Sequence, residues 1–424
     1  MNHQQRQLLC LSEGVRVFLC EQNIPQGSTI ALRAMDPMSL FAWIWGIARH
    51  QCTAVLLSDR DPDDVIMHRC TQVGATHVFS HTPAPAIPSS RHQADFDRIA
   101  VILFTSGSTN QPKAVAHSLH TLFASAQASN RNISLSKEDR WLQSLALWHI
   151  GGLAIAFRTL LAGATWIPRN KKQSLGEQIQ SDNITHISVV STQLYRLLQE
   201  SNMDLSCLKG VLVGGGPIPN ELITQASHLP VHTTYGMTEL GSQLCTTPPE
   251  APAETLQTAG YPLQGWDIRI STSGEICARG TPLFLGYFKN GSLHLPFDQD
   301  GFFHTGDQGI IDDQGRLVVL GRCDQMFISG GENIHPEEIE RCLCDLPDVE
   351  AALVLAIDHH EYGKRPVALI KGSVSLSTIQ EHLLTQLPRF KHPDQFRVWP
   401  QDLPTQKPKR SLAQKYFAQA PLMK

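Results

Sequence analysis

The cysteines of this sequence lack the spacing of metal or redox motifs. Ten cysteines are scattered over 424 residues, and the two that come nearest to a motif, Cys342 and Cys344, are separated by one residue. Zinc ribbons and thioredoxin-like chemistry need a Cys-x-x-Cys pair and are therefore disfavoured. Among 19 histidines only His359 and His360 are adjacent, and no ligand spacing surrounds them. We expect most of the cysteines to be reduced and buried.

Long apolar segments and a strong net charge are also missing. The N-terminal residues Met1–Arg6 lack the apolar core of a signal peptide, and Leu40–Ala48 is too short to span a bilayer. A net charge of -4 gives no electrostatic reason to expect nucleic acid or an acidic membrane as a partner. The composition, 42% hydrophobic and 17% charged, is typical of a globular protein. We expect a cytoplasmic protein without membrane insertion, and homo-oligomer formation stays open.

Strand and helix patterns alternate through most of the chain, which predicts an α/β fold with parallel sheets layered by helices. The predicted strands include Trp141–Leu147, Gly210–Val213 and Val231–Tyr235. After about Gly260, short strands separated by Gly and Asp turns predict a small antiparallel β subdomain. The last hundred residues or so combine helix and strand patterns and predict a separate small α+β domain.

A hydroxyl-rich turn follows the predicted strand Ala100–Phe104. The turn contains Thr105, Ser106, Gly107, Ser108 and Thr109, and Lys113 comes shortly after it. Hydroxyl and backbone N–H groups can donate to phosphate oxygens, glycine lets the backbone come close, and lysine adds a positive charge. A Ser/Thr-rich surface turn is the simpler alternative. The spacing does not match the Walker pattern, so P-loop NTPases are disfavoured.

This stretch resembles a signature of the adenylate-forming superfamily, which includes the acyl-CoA synthetases. The signature is written T-S-G-[ST]-T-G-x-P-K-G-V, and this chain departs from it at Asn110 and Ala114, where glycine is usual. The resemblance implies a large N-terminal domain of parallel βα-layered sheets with a β subdomain, and a small mobile C-terminal α+β domain. It places these domains at residues 1–322 and 325–424, with a hinge near Asp324.

Two further turns resemble nucleotide-binding elements of this superfamily. Residues 234–239 read T-Y-G-M-T-E and are similar to its Y-G-x-T-E element, while residues 214–217 read G-G-G-P. The resemblance implies that Tyr235 stacks on the adenine, that Thr238 bonds the α-phosphate and that Glu239 holds Mg²⁺. The simpler readings are a strand end and a strand-to-helix turn. The nucleotide-contacting positions implied here are Gly214, Gly215, Gly216, Pro217, Tyr235, Gly236 and Met237.

The T-G-D sequence ending at Asp307 and the R-x-D sequence beginning at Arg322 resemble the ribose-binding part of the superfamily. A carboxylate has two oxygens and can accept from both ribose hydroxyls. The resemblance assigns that role to Asp307, and Arg322 would support the ribose or a phosphate. A capped turn is the alternative for an isolated T-G-D.

The C-terminal section resembles the segments that complete catalysis in relatives. Residues 327–336 are similar to the segment that faces the thiol acceptor, which implies that Gly330 and Gly331 let the pantetheine of CoA pass. The catalytic lysine falls in L-P-T-Q-K-P-K-R, where the spacing is shorter than usual. Lys407 keeps the spacing to Arg410 and is the first choice, with Lys409 as the alternative; a solvated basic tail is the simpler reading.

Residues 147–153, 189–198 and 241–243 read L-W-H-I-G-G-L, V-V-S-T-Q-L-Y-R-L-L and G-S-Q. Together they are most similar to the corresponding elements of the o-succinylbenzoate–CoA ligases of menaquinone synthesis. The resemblance implies an AMP-forming ligase that uses ATP, Mg²⁺ and CoA and makes an acyl-adenylate before the thioester. Alternatives are a ligase for another aryl or medium-chain acid, a carrier-loading adenylation module, and a nucleotide-binding homologue without catalysis. The implied catalytic residues are Lys407, His149, Thr238 and Glu239, and the implied acid-binding residues are His149, Ser191, Thr234 and Gly236.

Overall fold

The computed structural model of the chain describes residues 2–33, 35–89, 93–105, 112–201, 203–216, 218–330, 332–405, 408 and 410–423. The α-helices that these residues form are α1 His3–Glu21, α2 Pro37–Arg49, α3 Asp63–Val73, α4 Leu119–Ile133, α5 Ile150–Ala162, α6 Leu175–Ser181, α7 Ser191–Leu198, α8 Asn220–Gln225, α9 Ala253–Leu256, α10 Pro336–Cys344, α11 Leu376–Gln386 and α12 Arg410–Phe417. Two short 3-10 helices cover Thr238–Leu240 and Arg389–Lys391. The strands are β1 Thr29–Leu32, β2 Thr53–Leu56, β3 His77–Phe79, β4 Ile99–Thr105, β5 Lys113–Ser118, β6 Arg140–Leu142, β7 Thr165–Ile167, β8 His186–Val189, β9 Gly210–Val213, β10 Val231–Tyr235, β11 Cys245–Thr246, β12 Tyr261–Pro262, β13 Trp266–Ile270, β14 Glu275–Gly280, β15 Gly286–Lys289, β16 Ser292–His294, β17 Phe303–Ile311, β18 Leu317–Arg322, β19 Phe327–Ser329, β20 Glu332–Ile334, β21 Val349–His359, β22 Gly363–Gly372 and β23 Phe396–Val398.

Capping side chains set where several helices begin. The carboxylate of Asp36 accepts a hydrogen bond from the backbone N–H of Ser39 at 3.0 Å, and Pro37 occupies the first position of α2. The hydroxyl of Ser118 likewise accepts from the N–H of Thr121 at 3.1 Å and starts α4. These bonds satisfy backbone donors that no helical carbonyl can reach. The helix α4 therefore begins directly after β5.

Two seven-stranded sheets combine a parallel centre with antiparallel strands at one edge. The first has the order β16-β15-β5-β4-β2-β1-β3 and the second the order β12-β11-β10-β9-β8-β6-β7. Pairing is parallel among β1 to β4 and among β6 to β10, and antiparallel for β5, β11, β12, β15 and β16. The predicted parallel βα-layered sheets form the centre of each sheet, and antiparallel strands extend one edge of each.

The chain divides into two compact units. Unit 1 comprises Met1–Gly215, His228–Arg269 and Cys277–His304, and unit 2 comprises Gly216–Ser227, Ile270–Ile276 and Thr305–Lys424. The predicted domain boundaries and the hinge at Asp324 stay predictions.

The core of unit 1 is built from aromatic and branched side chains of α1, α2, α4, α5 and the first sheet. Phe41 and Trp43 of α2 are at most 1% exposed, and Phe41 meets Phe157 of α5 edge to face at 5.2 Å between ring centroids. Burial of such side chains contributes about 1.5–3 kcal/mol each to stability. This packing fixes α4 and α5, the two helices that carry residues of the site described below.

Unit 2 contains a five-stranded sheet with the order β20-β19-β22-β21, to which β23 adds beside β22. The side chains of Ile339 and Leu343 on α10 are fully buried and belong to the same core as Val354 and Ile370 of the sheet. A four-stranded sheet has the order β13-β14-β17-β18. The predicted α+β character of the C-terminal section is confirmed by these elements.

The predicted strand Trp141–Leu147 is too long. The observed strand β6 ends at Leu142, and the amide of Gln143 instead donates to the carbonyl of Gly152 at 3.1 Å. A side chain that bonds the backbone in this way competes with the sheet ladder. Among the described helices, none is both long and apolar enough to cross a membrane.

Candidate active site

The two residues that flank the predicted phosphate turn are paired in the first sheet. Thr105 is the last residue of β4 and pairs in antiparallel register with Lys113, the first residue of β5. The carboxyl ends of β4 and its parallel neighbours lie at this edge, where α/β proteins bind their ligands. The phosphate contacts predicted for Ser106, Gly107, Ser108 and Thr109 lie outside the described residues.

Glu239 and Lys113 approach the same aromatic side chain, Tyr287 of β15. The Tyr287 hydroxyl donates to Oε1 of Glu239 at 2.8 Å, and the Lys113 ammonium lies 4.9 Å from the Tyr287 ring centroid. Glu239 is 3% exposed, whereas Lys113 is exposed. A buried carboxylate is tolerated because hydrogen bonds replace its hydration. The structure thus brings two predicted site residues to one tyrosine, with Glu239 at the hydroxyl of the ring and Lys113 over its face.

The backbone of Thr238 is held by a buried histidine. Nε2 of His117 donates to the carbonyl of Thr238 at 2.8 Å, and Nδ1 of His117 lies 3.0 Å from the hydroxyl of Thr121. Burial lowers the pKa of His117 from 6.5 to about 4, so the ring is neutral near pH 7 and its proton sits on Nε2. The carbonyl of Met237 accepts from the N–H of Leu240 at 3.1 Å and closes the short helix that carries Glu239.

Several predicted site residues follow the ends of neighbouring parallel strands in the second sheet. Ser191 comes after β8 and begins α7, Gly214 comes directly after β9, and Tyr235 is the last residue of β10. Because these strands are parallel neighbours, their carboxyl ends meet at one edge. The nucleotide and acid residues predicted from separate motifs therefore share an edge of the sheet.

The two predicted turns at this edge pack on each other through Thr234. A Cβ atom at Gly214 would lie 2.7 Å from Cγ2 of Thr234, and a Cβ atom at Gly236 would lie 1.7 Å from the carbonyl oxygen of Ser242. Only glycine fits such close approaches. The Thr234 hydroxyl donates to the carbonyl of Cys245 at 2.7 Å, so Thr234 acts here through the backbone turn.

The remaining residues of the triple-glycine turn are exposed. Gly215 has a φ of +82°, a left-handed conformation that favours glycine, and Gly216 is exposed beside it. Gly216 belongs to unit 2. The predicted role of Pro217 lies outside the described residues.

His149 caps the helix that follows β6 in the second sheet. Its backbone carbonyl accepts from the N–H of Leu153 at 3.0 Å, and its ring centroid lies 6.3 Å from that of Trp148. The side chain is exposed. The predicted acyl-pocket role of His149 stays a prediction.

In unit 2 the predicted ribose residues form an ion pair across two strands. Asp307 and Arg322 are directly opposite in the β17–β18 register, and Nη1 of Arg322 donates to Oδ1 of Asp307 at 2.9 Å. Burial opposes the charge of Arg322, but Asp307 and Asp324 more than offset this, so the pKa of Arg322 is raised. Gly306 has a φ of +74°, and a Cβ there would meet the guanidinium at 2.8 Å. Asp307 is 9% exposed, and its role at the ribose stays a prediction.

The predicted thiol-facing segment is a hairpin of β19 and β20 in unit 2. Gly330 lies at its turn with a φ of +58°, and its N–H donates to the carbonyl of Tyr362 at 3.0 Å. A Cβ at Gly330 would lie 2.9 Å from the Tyr362 ring. The role predicted for Gly331 lies outside the described residues.

Both candidate catalytic lysines, Lys407 and Lys409, lie outside the described residues. Arg410, the next residue, starts α12 and donates to Glu340, to Glu337 at 3.1 Å and to the carbonyl of Val354 at 2.6 Å. The arginine of the predicted lysine-to-arginine spacing is therefore anchored to α10.

Comparisons with known proteins place the chain in a family. The profile described as AMP-binding enzyme matches residues 83–288. The chain is 35% identical over 405 residues to the 2-succinylbenzoate–CoA ligase of Salmonella typhimurium, a match that covers 90% of this chain and 85% of that protein. The chain belongs to the 2-succinylbenzoate–CoA ligase family. The predictions of the adenylate-forming superfamily and of this ligase branch are both confirmed.

Other members of the ligase family agree with this placement. The 2-succinylbenzoate–CoA ligase of Bacillus subtilis is 35% identical over 318 residues, and that match spans 65% of its length, just under two thirds. The solved o-succinylbenzoate CoA synthetase of Bacillus subtilis, in complex with the acyl-adenylate intermediate OSB-AMP, is 29% identical with a TM-score of 0.84. That similarity covers 94% of this chain and 89% of the solved chain. The predicted adenylate-forming fold is thus confirmed.

The donor set of this chain fits Mg²⁺ when a nucleotide supplies the remaining ligands. Among the described residues, no three His, Cys, Asp or Glu side chains cluster as a complete metal site. Mg²⁺ commonly binds one or two carboxylates together with water and substrate phosphates. The buried carboxylate of Glu239, close to the hydroxyl-bearing Thr238, provides oxygen ligands of this kind.

The structure adds Tyr287 and His117 to the candidate site, and neither was predicted from the sequence. Tyr287 lies 48 residues after Glu239, on a short strand, and His117 is 0% exposed within β5. A lone tyrosine or histidine in a strand gives no chemical signal until its partners are known. Tyr287 lies 48 residues from its partner Glu239, and His117 lies 121 residues from its partner Thr238.

Proposed function

We propose that this chain joins 2-succinylbenzoate to CoA with ATP, releasing AMP and pyrophosphate, in menaquinone biosynthesis. The observation that carries the proposal is the meeting of Glu239 and Lys113 at Tyr287, in a chain 35% identical to the Salmonella ligase. An acid–CoA ligase needs this combination, a magnesium ligand beside a phosphate-binding cation. Related solved chains are described in complex with ATP and a magnesium ion and with OSB-AMP, which supports the assignment of ATP and Mg²⁺. The name of the Salmonella relative, 2-succinylbenzoate–CoA ligase, supports the assignment of CoA.

The first half-reaction forms a mixed anhydride. A carboxylate oxygen of the acid attacks the α-phosphorus of ATP, the bond from that phosphorus to the oxygen bridging to the β-phosphate breaks, and pyrophosphate leaves. The transferred group is an anion, so the protein contributes positioning and charge stabilisation. Lys113 would offset charge on the departing phosphates, and Lys407, or its alternative Lys409, would lie between the carboxylate and the α-phosphate.

Nucleotide binding would use the edges already described in each unit. Tyr235 would stack on the adenine, with the flat turn at Gly214, Gly215, Gly216 and Pro217 beside it. Asp307, held by Arg322, would accept from the ribose hydroxyls. Mg²⁺ bound at Glu239 would neutralise phosphate charge.

The second half-reaction exchanges AMP for the thiol. The sulfur of CoA attacks the acyl carbon, the acyl–phosphate C–O bond breaks, AMP leaves and the thiol proton passes to solvent. In this proposal Gly330 and Gly331 line the approach of the pantetheine and His149 borders the acyl group with Ser191. A rotation of residues 325–424 about Asp324 would withdraw the catalytic lysine from the adenylate and bring the thiol-facing segment, residues 327–336, to it. Since the partners are three small molecules, we infer a cytoplasmic enzyme; a homo-oligomer is an expectation that sedimentation tests.

A panel of acids tests the proposal. Purified protein is mixed with ATP, Mg²⁺, CoA and one acid, and pyrophosphate and thioester are measured. We expect 2-succinylbenzoate to give a kcat/KM at least about a hundredfold above benzoate or octanoate, a conservative bound for a site whose polar groups the wrong acid leaves unpaired. Equal rates would instead indicate a broader acyl-CoA ligase, and nucleotide binding without pyrophosphate release would indicate a homologue that lacks catalysis.

A further inference from the structure

A fully buried arginine lies beneath the turn that carries Tyr235. Arg158 of α5 is 0% exposed, and its guanidinium lies 5.4 Å from the ring centroid of Trp141. Among the described residues, no carboxylate pairs with it, and its Nε and Nη1 atoms lack hydrogen-bond partners. Burial lowers the pKa of Arg158 to about 9. A charge buried without a counter-ion costs stability, so the contacts that this side chain does make need an explanation.

Those contacts converge on one amide. Nη2 of Arg158 donates to Oε1 of Gln243 at 2.6 Å and to the hydroxyl of Ser242 at 3.2 Å. Because a guanidinium can only donate, the oxygen of the Gln243 amide must face it and the amide nitrogen must face away. That nitrogen donates to the hydroxyls of Thr246 at 2.7 Å and Thr234 at 3.2 Å.

The orientation of Gln243 in turn fixes Thr234. The oxygen of the Thr234 hydroxyl accepts from the Gln243 amide, and its hydrogen is donated to the carbonyl of Cys245 at 2.7 Å. The methyl group of Thr234 packs on Gly214, and the carbonyl of Ser242 packs on Gly236. Ser242, which Arg158 contacts directly, therefore packs against the Gly236 turn, and Thr234, which Gln243 holds, packs against the Gly214 turn.

We propose that Arg158 is a positioning residue for nucleotide binding, acting through Gln243 and Thr234. Its donated hydrogen bond sets one orientation of the Gln243 amide, and that orientation holds the Gly214 turn against the Tyr235–Gly236 turn. The inference rests on the proposed function, because it takes the occupant of these turns to be the adenylate. Arg158 itself touches neither substrate nor reacting atoms in this account.

Two variants separate positioning from folding. Arg158→Met removes the donor and leaves the Gln243 amide free to rotate. Gln243→Glu supplies a counter-charge to Arg158, so the fold is not weakened, but a carboxylate cannot donate to Thr234 and Thr246. Both hydroxyls must then turn toward the carboxylate, and the bond from Thr234 to Cys245 is lost. Arg140→Met is the matched control. Arg140 lies in β6 of the second sheet, the sheet that carries Gly214 and Tyr235, and it donates to the carbonyl of Asp182 at 2.6 Å.

The readouts are the dissociation constant for AMP, measured by calorimetry, and the melting temperature. We expect Arg158→Met and Gln243→Glu to bind AMP about tenfold more weakly or worse, since each loses a buried hydrogen bond that orders the turn. Gln243→Glu should melt at or above the wild-type temperature, and Arg140→Met should keep wild-type affinity. The KM for ATP should rise more than kcat falls.

Unchanged AMP affinity in Gln243→Glu would overturn the inference, whatever happens to Arg158→Met, and so would an equal loss in the Arg140→Met control. A wild-type protein that does not bind AMP would overturn it as well. Failure of the proposed function is a separate result: the wild type would release no pyrophosphate with any acid, while the comparison of AMP affinities would still decide the role of Arg158.

Discussion

Two buried carboxylates carry the nucleotide chemistry proposed for this chain, and each is oriented by one neighbour. Glu239 accepts from the Tyr287 hydroxyl, and Asp307 accepts from the Arg322 guanidinium. A carboxylate that keeps a fixed donor presents its other lone pairs in a defined direction. At the scale of residues, we therefore expect that removing either neighbour or either carboxylate weakens nucleotide binding or turnover more than it lowers the stability of the fold.

Tyr287→Phe tests the support of Glu239. The substitution keeps the aromatic ring and removes only the hydroxyl, so we expect kcat/KM for ATP to fall about tenfold and the Mg²⁺ requirement to rise, at little cost in stability. Steady-state kinetics at varied Mg²⁺ concentration measure this. Tyr261→Phe, at an exposed tyrosine of β12, is the control; equal behaviour of the two variants would remove Tyr287 from the site.

Asp307→Asn tests the ribose contact. An amide has one acceptor oxygen instead of two, so we expect affinity for ATP to weaken about tenfold or more. Asp312→Asn is matched to it, because Asp312 also pairs with an arginine, Arg316, in the turn between β17 and β18. Calorimetric titration with ATP decides: nucleotide affinity that is unchanged in Asp307→Asn would contradict the ribose role.

The catalytic lysine is the residue-scale choice that sequence left open. We expect Lys407→Ala to lower acyl-adenylate formation at least about a hundredfold, because a charge positioned on the transferring group is lost, and to spare thioester formation from supplied acyl-adenylate. Measuring the two half-reactions separately for Lys407→Ala and Lys409→Ala identifies the lysine. If only Lys409→Ala shows this pattern, the assignment moves by two residues.

At the scale of elements, the sequence predicted the parts with a strong local signal. Strands β9 and β10 have their predicted bounds, because both are rich in β-branched residues and a glycine follows each directly. Helix α1 was not singled out, since its buried face includes Ser12 and Glu13, and Glu13 is held by Arg16 and Arg49. Pairing of this kind depends on other elements, so no local pattern reveals it.

Histidine burial in the strands of the second sheet makes stability depend on pH. His186 of β8 is 2% exposed, and burial lowers its pKa from 6.5 to about 4. Between these values the unfolded chain binds a proton that the folded chain does not, so stability is present above about pH 6.5 and is lost as pH falls toward 4. From about pH 7 to about pH 5 we expect His186 to contribute a loss of roughly 2 kcal/mol.

Urea unfolding of the wild type and of His186→Gln at both pH values measures this contribution. The free energy of unfolding of the variant should fall less on acidification, by roughly 2 kcal/mol. Parallel losses in the two proteins would mean that His186 is not the group that titrates.

At the scale of the whole molecule, motif order was more informative than any single motif. Thr105 and Lys113 lie at one edge of the first sheet, and Gly214 and Tyr235 lie at the carboxyl ends of neighbouring parallel strands of the second. The contact of Glu239 with Tyr287 links the two sheets within unit 1. Sequence could predict these residues because a resemblance supplied their roles. It could not predict Tyr287, His117 or Arg158, whose significance comes from partners on other elements and is visible only in the fold.

The central claim is that a carboxylic acid displaces pyrophosphate from ATP at the edge held by Glu239 and Lys113. Acid-dependent exchange of labelled pyrophosphate into ATP, measured with purified protein, Mg²⁺ and 2-succinylbenzoate, tests it directly. We expect exchange that requires the acid and falls at least about a hundredfold in Glu239→Gln, which removes the negative charge that would bind Mg²⁺. Absence of exchange with every acid of the panel, or full exchange in Glu239→Gln, would contradict it.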